Sequence, residues 1–295
     1  LGFNAGMRGR KSSIYEGGHR VPFFLHWPAG GFSKGKDIET LAAHIDVLPT
    51  LADLCKLPKP DKRYDVDGLS LTPLLASKAN SWERNHLFLQ YHGGAHHKFE
   101  LGPFTNSVVM TEKWRLVNTD RAQELYDIQS DPSQRNNIAS QKPEIVKNLR
   151  SAYQSFWQRV SPGLKPVAID IGDLTENPAI LCSQDWRPET GNPPWNFSSI
   201  KKLPKVTHPW LMNVLKAGKY RFTLRQWPKE ADKTIIGVRA GIKIAGFEKE
   251  SVIKDDSKEI NFTLTLPSGI TELWTYIYTQ QGQVGGAYFT EVEKL

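Results

Sequence analysis

The chain has 295 residues, 39% hydrophobic and 23% charged, enough to bury a sizeable core in more than one domain. No apolar run is long enough to cross a membrane, no signal peptide is visible, and no run of Lys/Arg with interleaved aromatics points to nucleic acid. The net charge of +7 is uneven, with 22 Lys/Arg against 16 Asp/Glu in residues 1–166 and 16 against 15 in 167–295, which suits a small anionic partner or simple solubility.

Almost at its start the chain reads Gly9-Arg10-Lys11-Ser12-Ser13-Ile14-Tyr15-Glu16-Gly17-Gly18-His19-Arg20-Val21-Pro22. Val21, Phe23 and Leu25 then alternate with Phe24 and His26, which predicts a short strand. Pro28 to Gly35 is a turn cluster. Asp46 is a good N-cap for a helix in which Leu48, Leu51 and Leu54 share a face, with Pro49 tolerated in its first turn. Pro58 and Pro60 end it, and Asp67-Gly68 opens a turn before a second short apolar helix through Leu75. Three strands are expected at 87–91, 107–110 and 113–117, then the word Glu124-Leu125-Tyr126-Asp127-Ile128 with Asp131-Pro132. A helix follows from Pro143 to Val160, with Ile145, Leu149, Tyr153, Phe156 and Val160 on one stripe. Ser161 to Pro166 is a linker by composition. Beyond it apolar residues alternate along 220–225, 235–245, 260–266 and 274–278, which predicts an antiparallel β-sandwich. Cys55 and Cys182 lie far apart and read as two unpaired, buried thiols.

The first run, G-x-K-x-x-x-Y-E-G-G-x-R-x-P, resembles the rear part of the catalytic domain of formylglycine-dependent, arylsulfatase-like sulfatases. The words around Asp46 (D-hydrophobic-x-PTL), Asp67 (DG-x-SL-x-PLL) and Glu124 (ELYDL-x-x-DP) match the same family in the same order, so the resemblance covers about residues 3–160. It implies three parts: 1–83, the end of an α/β, alkaline-phosphatase-like core; 84–162, a small subdomain of antiparallel strands plus a helix; and 167–295, the β-sandwich. It also implies that the chain is a C-terminal portion whose missing N-terminal part completes the catalytic domain, and that the full enzyme is periplasmic or secreted. Its substrate would be a sulfated carbohydrate or an aryl sulfate.

Such enzymes use a formylglycine made from Cys in a Cys-x-Pro/Ser/Ala-x-Arg motif, and a Ca²⁺ held by Asp and Asn oxygens. Neither Cys55-Lys56-Leu57-Pro58-Lys59 nor Cys182-Ser183-Gln184-Asp185-Trp186 fits that motif. The family's Asp-Asn metal pair falls, by counting back from Lys11, before Leu1, so no metal ligand is assigned to this chain. Lys11 matches the lysine that contacts the sulfate, a point charge with three donors. Arg10, with Arg8 beside it, could face the substrate. Glu16, Gly17, Gly18 and Arg20 read as structural support, with Glu16 paired to Arg20 and the glycines allowing positive φ or close backbone approach. His92 and His96, in a Gly-rich loop, are candidates for a rim that contacts substrate, while a zinc site there lacks further ligands nearby. Trp186, Trp195, Trp210 and Trp227 could stack on sugar rings or could be core. On these residues the full enzyme would hydrolyse a sulfate ester while this chain by itself would be inactive. The alternatives are a sulfated-glycan-binding module with a degenerate core and a phosphoester hydrolase of the same superfamily.

Overall fold

The computed structural model describes residues 3–58, 66–76, 82–91, 102–119, 121–188 and 192–295. His92 and His96 lie outside the described residues. The chain divides into two compact units, the first holding the described residues up to Gly163 and the second those from Leu164 onward.

The first unit is built on a four-stranded antiparallel meander: β1 (Leu87–Gln90), β2 (Ser107–Met110), β3 (Trp114–Asn118) and β4 (Gln123–Asp127), in that spatial order. These strands are rich in Val, Leu and aromatic residues, and their alternation serves two faces rather than one. Val109, Leu116 and Leu125 face helix α4 (Pro143–Val160), whose Leu149 and Tyr153 complete that cluster. Val108, Met110, Val117 and Tyr126 face the other way and pack against Ile14. The turns are set by hydroxyls: Thr111 Oγ1 accepts from Trp114 N at 2.8 Å, and Thr119 Oγ1 from Ala122 N at 2.9 Å.

Three short helices precede the sheet: α1 (Glu16–His19), α2 (Val47–Leu54) and α3 (Thr72–Leu75). Asp46 departs from its expected role. Its side chain does not cap α2 but accepts from Ala43 N and Leu69 N, both at 2.8 Å, and pairs with Arg84. Thr50 Oγ1, in turn, accepts from Leu71 N at 2.8 Å. Gly68 runs so close to Ile45 that a Cβ there would lie 1.9 Å from the Ile45 carbonyl oxygen. The two sequence words around Asp46 and Asp67 are thus halves of one brace.

The strand expected across 21–26 does not form. Among the described residues no strand pairs with this segment, and backbone without a hydrogen-bonding neighbour cannot join a sheet whatever its apolar pattern. Val21, Phe23 and Phe24 are exposed, as are Leu48 and Leu51 on the expected apolar face of α2.

The second unit contains β5 (Ile169–Ile171), β6 (Ala179–Cys182), helix α5 (Phe197–Lys201), β7 (Trp210–Val214), β8 (Gly218–Arg225), β9 (Arg239–Ile244), β10 (Phe247–Val252), β11 (Ile260–Leu266), β12 (Gly269–Tyr278), β13 (Val284–Gly285) and β14 (Phe289–Lys294). One sheet runs β10-β9-β12-β7-β5, with β13 on β12, and the other runs β11-β8-β14-β6. Inward residues of both sheets, such as Ile242, Leu273 and Ile277 from one and Tyr220, Phe222 and Leu264 from the other, share a single apolar cluster. Two features depart from a purely antiparallel, all-strand expectation: β5 pairs parallel with β7, and α5 interrupts the strands. The expected alternation from 235 holds only from Arg239, since Ile236 and Val238 precede β9 and are exposed. Trp186 and Trp210 are fully buried and Trp227 nearly so, which makes them core; Trp195 is not.

Both cysteines are free. Cys55 is exposed just past α2 rather than buried, and Cys182 is half-buried, so burial pushes its thiol up and away from the reactive thiolate. No helix among the described residues is long and apolar enough to cross a membrane.

Candidate functional site

The loop from Asn4 to Arg20 is held on the sheet by contacts at both ends of its Lys11 turn. On one side Arg8 Nη1 donates to Tyr126 Oη at 2.6 Å and to Glu124 Oε2 at 3.3 Å, with its guanidinium 3.8 Å over the Tyr15 ring. The same Glu124 oxygen accepts from Tyr15 Oη at 2.8 Å and Tyr126 Oη at 2.6 Å. Burial, aided by the Glu124 carboxylate, pushes the Tyr15 phenol up to about 12, and Tyr126 rises for the same reasons. Both phenols therefore stay protonated donors at neutral pH.

On the other side Glu16 is buried, and its main partner is Arg115 of β3, whose Nε lies 2.6 Å from Glu16 Oε1. Arg115 also donates to the carbonyls of Thr111 and Trp114. Arg20 reaches Glu16 only at 3.8 Å from a largely exposed position, so the expected Glu16–Arg20 pair is the weaker contact. Glu16 N donates to Gln134 Oε1 at 2.8 Å, and the Gln134 carbonyl accepts from Arg8 at 3.3 Å. His19 Nε2 is buried without a hydrogen bond, and burial holds the imidazole below its ordinary value, so the ring is neutral at pH 7.

Gly17 and Gly18 are required for close approach, not for positive φ. A Cβ on Gly17 would lie 2.5 Å from Gly9 O, and one on Gly18 would lie 2.0 Å from Ser13 O. The left-handed conformations fall instead at Gly9 (φ 85°) and Ser12 (φ 71°), which turn the chain on either side of Lys11.

Lys11 and Arg10 are exposed and have no hydrogen-bond or ion-pair partner among the described residues. Arg8, by contrast, is committed to Glu124 and the two tyrosines. The result is a tethered loop that presents two cations unpaired among the described residues, which suits a small anion whose oxygens need donors and positive charge.

Sequence reading missed Arg115 and Gln134. The signal for Arg115 was present: a cation inside the apolar strand Trp114-Arg115-Leu116-Val117 demands a buried carboxylate partner. Gln134 carried no such signal.

Among the described residues no three His, Cys, Asp or Glu side chains converge to hold a metal ion. Burial holds the Cys182 thiol away from the thiolate, and neither cysteine lies in the loop that carries Lys11.

Comparisons with known proteins place the chain beside sulfatases. Over 158 residues the chain is 33% identical to an N-acetylgalactosamine-6-O-sulfatase of Bacteroides thetaiotaomicron, covering 52% of this chain and 30% of that protein. It is 26% identical over 157 residues to arylsulfatase K of Xenopus laevis, covering 50% of this chain and 27% of that protein. A solved structure from work on the metabolism of multiple glycosaminoglycans by Bacteroides thetaiotaomicron is 27% identical, with a TM-score of 0.42, over 51% of this chain and 32% of the other. The chain therefore spans less than a third of each of these relatives. The model of the N-sulphoglucosamine sulphohydrolase C-terminal family matches residues 9–158, which is half of the chain and contains Lys11, Glu16, Arg115, Glu124 and Gln134, while Arg8 lies just before it. By that match the chain belongs to this sulfatase C-terminal family.

Proposed function

We propose that this chain is the C-terminal part of an enzyme that hydrolyses a sulfate ester on a carbohydrate or aryl substrate, and that Lys11 binds the sulfate. The observation that carries this is an exposed Lys11 without a partner among the described residues, at the turn of a loop tethered by Arg115–Glu16 and by Arg8–Glu124. An ammonium held there offers a full charge and three donors to sulfate oxygens, and most of the ordering is done before substrate arrives. Arg10 adds a second charge to the same rim. Formylglycine and Ca²⁺ would supply the nucleophile and charge neutralisation, and the described residues provide neither. In this proposal the chain is a sulfate-recognising part, and its expected inactivity alone rests on the lack of a Cys-x-Pro/Ser/Ala-x-Arg motif in its sequence.

The second unit reads as a β-sandwich accessory domain, supported by two sheets that share one apolar cluster. Secretion or a periplasmic location remains part of the proposal.

Two measurements test the reading. Incubation of the chain with a chromogenic aryl sulfate and Ca²⁺ should give no turnover; robust hydrolysis would show that a nucleophile is present. Reductive methylation of the lysines, followed by NMR during titration with inorganic sulfate, should move the Lys11 signal and leave most others in place. A Lys11 signal that does not respond would remove the assigned role.

A further inference from the structure

Most tryptophans of the second unit are core, but Trp195 is 71% exposed and has no ring contact or hydrogen bond among the described residues. Its backbone is fixed on both sides. Before it, Pro193 and Pro194 are buried, and the Pro194 carbonyl accepts from Ser183 Oγ at 2.8 Å. After it, Asn196 Oδ1 accepts from Ser199 N at 2.9 Å and holds the start of α5.

Phe197, two residues on, is 56% exposed and is also held in place. Its ring centroid lies 5.2 Å from that of Trp227, and Lys233 Nζ sits 4.3 Å over Phe197 and 4.9 Å over Trp227. Trp227 is itself anchored through Nε1 to the Thr234 carbonyl at 3.2 Å. Along the sequence from Asn192 to Lys205 the chain carries Lys201, Lys202 and Lys205, all exposed, and no carboxylate, whereas Lys233 has Asp232 and Glu230 as sequence neighbours.

We infer that Trp195 and Phe197, with Lys233, Lys201 and Lys202, form a binding platform for a sulfated sugar chain. Exposed ring faces suit the C–H faces of pyranose rings, and a held ring such as Phe197 loses little entropy on binding. The surrounding lysines select a polyanionic sugar over a neutral one. Two rings and a few cations are too small a patch for a stable protein partner, which needs about 1,200 Å² or more of buried surface. The platform deepens the proposed function, because it rests on the chain meeting sulfated carbohydrate, but it lies in the second unit and does not involve Lys11.

The test uses the whole chain with a heparin hexasaccharide and its fully desulfated counterpart, measured by calorimetry at several salt concentrations. The sulfated form should bind with salt-sensitive affinity, and the desulfated form at least ten-fold more weakly. Trp195→Ala and Phe197→Ala should each weaken binding ten-fold or more, with Trp195→Phe restoring most of it, and unchanged melting temperatures would show that the variants fold. In Trp195→Ala the methylated Lys11 signal should still respond to inorganic sulfate. Unchanged affinity in Trp195→Ala overturns the inference, as does equal binding of both hexasaccharides or binding of neither. If Lys11→Ala removes all binding while Trp195→Ala keeps it, the inference fails and the sulfatase reading of the first unit survives.

Discussion

Glu16 owes its burial to Arg115, and neither is tolerable without the other. Arg115→Met would leave an ionised carboxylate in a site closed to water, with only the distant Arg20 and a neutral His19 nearby. Loss of one partner of a buried pair destabilises by about 3–5 kcal/mol. We expect that drop in urea unfolding followed by tryptophan fluorescence, and recovery of part of it in the Glu16→Gln/Arg115→Met double variant. Equal loss in single and double variants would mean that the pair is not the source. Tyr15 carries a second prediction at this scale. Its folded pKa, near 12, exceeds the ordinary value of 10, so the contribution is fully present below pH 10 and is lost as pH rises towards 12. Tyr15→Phe should flatten the alkaline fall in stability over that window, and the phenolate absorbance lost with it should titrate near pH 12. A difference titration centred near 10 would contradict the Glu124 contact. The tyrosine, the glycines and the glutamate were all legible as a motif, but their reasons were not. A motif shows which residues occur together, whereas Arg115 and Gln134 act from about 100 and 118 positions away.

At the scale of elements, the brace between α2 and the segment before α3 explains two sequence words at once. Asp46 and Thr50 satisfy the backbone N–H groups of Leu69 and Leu71, and Arg84 closes the site from the approach to β1. Thr50→Val keeps the shape and removes the acceptor, which should cost about 1–3 kcal/mol because the Leu71 N–H is then buried without a partner. Hydrogen exchange should speed at Leu71 before it speeds at β2 or β3; uniform acceleration would argue against a local brace. Asp46 was read as an N-cap because an Asp ahead of an apolar period is the usual sign of one. The structure gives the carboxylate to a loop 23 residues away instead, a tertiary choice that local pattern cannot encode. Where an element depends on local alternation, as in β11, reading and structure agree, because period-2 burial and period-2 sequence are the same fact. Short β5, β6 and β13 had too few residues to show a period.

At the scale of the whole molecule, the first unit leaves much of its apolar surface in water. Phe24 is 89% exposed, and Phe23, Leu25, Leu51, Leu54, Leu71 and Leu75 line a shallow groove between the unpaired 21–26 segment and helices α2 and α3. The alternation that announced a strand was a true sign of apolar faces, yet a strand also needs a neighbour, and that condition lies outside any single window of sequence. Exposed surface of this kind drives association. Each large apolar side chain covered contributes about 1.5–3 kcal/mol, so removing one should weaken association ten-fold or more. We therefore expect the isolated chain to self-associate with rising concentration in sedimentation runs and to bind a hydrophobic dye. Phe24→Ser should reduce both, while its melting temperature stays within the change expected of about 0.5 kcal/mol, because the ring packs against little. A monodisperse monomer that ignores the dye would show that this face is closed in solution. A Phe24→Ser variant that unfolds would show that the ring is part of the core.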